Sequence, residues 1–138
     1  MLEKASFGKA VGFGVVIWMV GFVWGSVVFM TPALKELPAI PLVSRYPAIS
    51  FPLLVAVPLL AFFLGRSCLR TAENKAAAGL PIGAVFAATN LLLDLLILVL
   101  VFRSGWDYFA SLTVWLGYGL LLSVPWITGR LWASWYSA

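Results

Sequence analysis

The chain has 138 residues, of which 63% are hydrophobic and only 10% charged, with a formal net charge of +4 and a mean hydropathy of +1.05. A water-soluble fold of this length can neither bury so much apolar surface nor cover it with so few charges, so the composition predicts an integral membrane protein. The absence of His excludes imidazole metal sites, bis-histidine haem ligation and Ser-His or Cys-His catalysis, and the single Cys68 leaves no partner for an intrachain disulfide.

Four apolar stretches, at about 11–30, 47–64, 80–102 and 106–127, are long enough to cross a hydrocarbon layer, which takes about 20 helical residues. Unpaired backbone amides are expensive in lipid, so each stretch is expected to be a helix, and no ten-residue alternation points to a barrel. The expected fold class is therefore all-α: one transmembrane domain over residues 1–138, built as a four-helix bundle. The first stretch is read as a retained helix, because its apolar run exceeds that of a signal peptide and Val28-Phe29-Met30-Thr31-Pro32 offers no small-x-small cleavage site.

Charge orients the helices. Lys4, Lys9, Arg66, Arg70, Lys75 and Arg130 fall on one side, and Lys35, Arg45 and Arg103 on the other. The positive-inside rule then places both termini in the cytoplasm. No basic cluster with interleaved aromatics lies outside the spans, so nucleic acid is not an expected partner.

Within the first helix, Gly14, Trp18, Gly21 and Gly25 share a face, and Gly21 and Gly25 form a small-xxx-small pair. Such residues let backbones approach closely, either within the chain or across a dimer or partner seam. Pro52 and Pro58 interrupt the backbone bonding of the second helix, leaving the carbonyls of Ala48 and Leu54 without their usual partners. The connection 31–46, with Pro32, Pro38 and Pro41, reads as a stiff extended loop. Cys68, between Arg66 and Arg70, is either an ordinary thiol or a juxtamembrane lipidation site.

The third helix carries the one polar constellation. Gly79, Gly83, Ala87, Asn90 and Asp94 are spaced by four, four, three and four residues and so share a face. A carboxylate in hydrocarbon is costly and is expected to turn toward the bundle interior, a partner or water. Counting helical rise, Asp94 lies about 12 Å below the outer boundary, and Asn90 about 18 Å. In an antiparallel fourth helix, this sets Asp94 level with the Thr113 hydroxyl and the Trp115 indole, and Asn90 level with the Tyr118 hydroxyl. Two roles are open. Asn90 and Asp94 fix helix register through interhelical hydrogen bonds, or Asp94 binds a proton or cation, supported by Asn90 and Tyr118.

Trp106 and Tyr108 at one end of the fourth helix, and Trp126, Trp132, Trp135 and Tyr136 at the other, read as interfacial belts. Gly129-Arg130-Leu131-Trp132 reads as a short tail along the cytoplasmic interface. Trp18, Trp24 and Trp115 lie inside the spans, where core packing is the expected role. Glu3, Glu36, Glu73 and Asp107 are scattered over separate segments, so no paired-carboxylate catalytic site is expected, nor a cofactor or metal.

Asn90-Leu91-Leu92-Leu93-Asp94, followed by Tyr108, Tyr118, Pro125 and Gly129, resembles small four-helix inner-membrane proteins of prokaryotes that lack an assigned function. The match covers roughly the last 60 residues. The resemblance implies a prokaryotic inner-membrane location and supplies no activity. Together these readings lead to a non-enzymatic membrane protein, either a homo-oligomer or a subunit of a larger complex in the lipid bilayer. A small proton- or cation-coupled transporter or channel using Asp94 is the alternative.

Overall fold

A computed structural model describes residues 4–30, 47–101, 109 and 112–137. These residues form helices and no strands: α1 (Lys4–Met30), α2 (Pro47–Leu69), α3 (Lys75–Leu93) and α4 (Leu112–Ser137), with α3 continued by a π-helical segment, Asp94–Val101. Three helical stretches, Ser6–Val27, Pro52–Leu69 and Lys75–Val101, are long and apolar enough to cross a membrane. α4 is not among them. It carries Pro125, Thr128, Gly129 and Arg130 in its second half, and residues 106–108, counted into the expected fourth span, lie outside the described residues.

The helix ends differ from those expected. α1 begins at Lys4 rather than near 11, α2 runs on to Leu69, and α3 starts at Lys75 rather than 80. Hydropathy marks the hydrocarbon layer, whereas a helix ends where its backbone bonding ends, and these helices continue past the apolar run. At α3 the start is set by a cap: Asn74, in extended conformation, accepts a hydrogen bond from the Ala77 backbone N–H at 3.1 Å. α4 extends to Ser137, so Gly129-Arg130-Leu131-Trp132 is part of a continuous helix and not a separate interfacial tail. Pro52 and Pro58 are likewise accommodated inside an unbroken α2. The 31–46 loop, the 103–105 turn, Trp106 and Tyr108 lie outside the described residues.

The helices stand at the corners of a square. α3 has its most extensive interface with α4; α4 also packs on α2, and α1 packs on α3 and α2, so α1 and α4 are diagonally opposed. Ala10, Ile17, Ala61, Cys68, Leu69, Ile82, Phe86 and Leu121 form the core. Cys68 is fully buried there, which removes it as a lipidation site. The outside is apolar: Met19, Val23, Phe63 and Leu100 are all more than half exposed, as befits a bundle solvated by acyl chains.

Close approach defines the α3–α4 seam. A Cβ on Gly79 would lie 3.0 Å from Trp126 Cα and against the Pro125 carbonyl, and one on Gly83 would collide with the Leu122 carbonyl. Backbone cannot swing aside as a side chain can, so only glycine fits. From the other side, Gly129 of α4 abuts the Lys75 carbonyl.

Candidate functional site

α3 carries its two polar residues into the bundle. Asn90 and Asp94 are 7% and 6% exposed, so both need partners within the protein. Asn90 Nδ2 donates to the Phe86 carbonyl one turn back at 2.9 Å and to the Gly14 carbonyl of α1 at 3.1 Å. That second bond requires the amide to approach the α1 backbone. Gly14 allows it, with no side chain of its own and its Cα turned toward Thr89 Cβ, which a Cβ there would meet at 2.9 Å.

One turn farther along, Asp94 receives donors from two other helices. The Trp18 indole Nε1–H of α1 donates to Oδ1 at 2.8 Å, and the Tyr118 hydroxyl of α4 donates to Oδ2. The carboxylate thus joins the two helices that are diagonally opposed. Trp18 stacks on Phe22 with ring centroids 5.1 Å apart, and Trp115 meets the Tyr118 ring edge-on at 5.7 Å. Both donors to Asp94 are therefore braced by a neighbouring aromatic.

Both α1–α3 hydrogen bonds join residues separated by 76 positions. A constant offset means that the helices run parallel and in register, Gly14 opposite Asn90 and Trp18 opposite Asp94, each pair spaced by one turn. The network is a two-step ladder between α1 and α3, with α4 attached at the upper step.

Several expected pairings are different. Tyr118 bonds to Asp94, not to Asn90. The Trp115 indole donates to the Phe109 carbonyl instead of reaching Asp94, and the residue is 51% exposed. The Thr113 side chain lies outside the described residues. Counting rise compares Cα levels, but helical side chains lean toward the N-terminus of their own helix. Tyr118 leans along α4 toward Leu112, Asp94 leans along α3 toward Lys75, and the two meet between their Cα levels. Trp18, expected to serve core packing, is a direct partner of the acid.

The small residues divide. Gly14, Gly79 and Gly83 are buried against neighbouring helices, and Ala87 is half-buried on the face of α3 that packs on the core. Among the described residues, nothing lies within 4 Å of the position a Cβ would take at Gly21 or Gly25.

At Asp94 the backbone also changes. Its N–H reaches the carbonyls of both Asn90 and Leu91, and the helix widens into the π form from this residue to Val101. Nothing in the uniformly apolar run Leu91–Leu93 and Leu95–Leu98 signals that change. Among the described residues no group of three His, Cys, Asp or Glu side chains gathers, so no cation cage is formed there. No protein-family model, no curated protein and no solved structure matches this chain.

Proposed function

We propose that this chain is a four-span bundle of the prokaryotic inner membrane, both termini cytoplasmic, that works as a non-enzymatic assembly or accessory subunit, alone as a homo-oligomer or within a larger complex. The observation that carries this reading is the engagement of Asp94: both carboxylate oxygens take donors from helices of the same chain, one on α1 and one on α4. An acid held in this way fastens helices. Each interhelical hydrogen bond in a membrane contributes about 0.6 kcal/mol, so the contribution is to alignment more than to gross stability. With its interior polar groups engaged inside the chain, the surface left for partners is apolar and, along the outer half of α1, carries the open pair Gly21 and Gly25.

One observation favours the alternative, a small proton- or cation-coupled transporter or channel. The π-helical segment opens at Asp94 itself, and such widenings in helices frequently accompany functional groups.

Asp94→Asn discriminates between the two. The protein is purified in mild detergent, weighed by native mass spectrometry, and reconstituted for proton-flux assays in liposomes. Assembly predicts oligomers or companions for the wild type, weakened by the substitution, with no flux from either form. Flux in the wild type that vanishes in Asp94→Asn, with assembly unchanged, overturns it.

A further inference from the structure

Away from the polar ladder, the other end of the bundle gathers cations around tryptophan. Arg66, near the end of α2, places its guanidinium carbon 5.2 Å from the centre of the Trp132 ring, and Lys75, at the start of α3, places its ammonium 5.5 Å from the same centre. Trp132 belongs to α4, so three helices meet at one indole. Two residues before Trp132 on α4, Arg130 lies 4.8 Å from the Trp126 ring centre. Lys9 of α1 donates to the Ser67 carbonyl of α2 at 3.0 Å, closing the same end.

Among the described residues no carboxylate forms an ion pair with this cluster. Among the described residues the only carboxylates are Glu73 and Asp94, and Asp94 lies in the ladder, 19 residues along α3 from Lys75. Arg66, Arg70 and Arg130 are exposed and Lys75 is half-buried. An indole ring attracts a cation through its quadrupole and carries no net charge, so Arg66 and Lys75 are oriented without losing their capacity for an anion. Lys75 also donates to the Ala72 carbonyl at 3.4 Å, which leaves further ammonium protons. Two cations held beside one indole can engage a phosphate with charge-assisted hydrogen bonds, at a lower ordering cost than free side chains would carry.

We infer that the Arg66–Trp132–Lys75 cluster is a binding site for the phosphate of an anionic phospholipid headgroup, with Arg130 adding to the attracting field. Position selects the lipid over a free anion: Ile127, 49% exposed, and Leu131, 50% exposed, precede Trp132 along α4 on the bilayer side and offer apolar contact to the acyl region beneath the headgroup. Basic pockets at helix ends on the cytoplasmic side are suited to such headgroups. The inference rests on the bilayer reading and is independent of which role Asp94 plays.

The test is native mass spectrometry of the detergent-purified protein titrated with phosphatidylglycerol, with phosphatidylcholine of the same chains, and with phosphatidylglycerol in the presence of inorganic phosphate. The expected result is about tenfold preference for phosphatidylglycerol, insensitive to millimolar phosphate. It falls to parity in Arg66→Gln/Lys75→Gln and persists in the charge-retaining Arg66→Lys/Lys75→Arg. Asp94→Asn also keeps the preference, which separates this site from the assembly reading. Equal binding of both lipids by the wild type, displacement by inorganic phosphate, or a preference unchanged in the double Gln variant overturns the inference.

Discussion

The α3–α4 seam and the C-terminal half of α1 carry the same sequence signal and meet opposite surroundings. Gly79 and Gly83 are four residues apart, as are Gly21 and Gly25. The first pair presses on the α4 backbone so closely that no Cβ fits, while the second faces open space among the described residues. Spacing alone therefore tells that a helix has a smooth face and not what covers it. What distinguishes the pairs is the rest of the face: Ile82, Phe86 and Asn90 are buried alongside Gly79 and Gly83, whereas along the face of α1 Trp18 and Gly21 are half-buried and Gly25 is exposed.

That contrast breaks most visibly at Gly83. A Cβ there collides with the Leu122 carbonyl, so Gly83→Ala is expected to lower stability by about 3 kcal/mol, read from denaturant unfolding in mixed micelles. An unchanged midpoint would mean that α3 and α4 are not in this close contact. Next comes Asp94→Leu, which strands the Trp18 indole and the Tyr118 hydroxyl inside the bundle. The expected loss is about 2 kcal/mol in the same titration. Tyr118→Phe removes one donor and leaves the ring in place beside Trp115, for about 0.6 kcal/mol. Smallest is the double change Gly21→Ala/Gly25→Ala: the stability of the isolated chain should move by less than about 0.5 kcal/mol. In native mass spectra the same variant should lose oligomers or companions if this face is where they bind.

Much of the helical architecture is legible in the residues themselves. Long apolar runs without charge have few options in lipid, and all four stretches contain helix. The ends were less accessible, because Lys4, Lys9 and Arg66 look like boundary residues by charge but are held in continuous backbone hydrogen bonding. Asn90 and Asp94 stand out by type, since an amide and a carboxylate in such a stretch must find donors and acceptors. Their partners did not, for two reasons. Depth counting ignores the lean of side chains, which shifts Tyr118 from Asn90 to Asp94. Parallel register between α1 and α3 depends on packing, although a signal was present: Gly14 and Trp18 share the four-residue spacing of Asn90 and Asp94. The cation clusters at Trp126 and Trp132 require knowledge of which helix ends meet, and no single stretch of sequence contains it.

The central claim is that Asp94 ties α1 and α4 to α3. A double-mutant cycle between Trp18→Phe and Asp94→Asn, measured by reversible unfolding in bilayer-like micelles, tests it most directly. A favourable coupling of about 0.6 kcal/mol or more is predicted. Strict additivity of the two substitutions would contradict it.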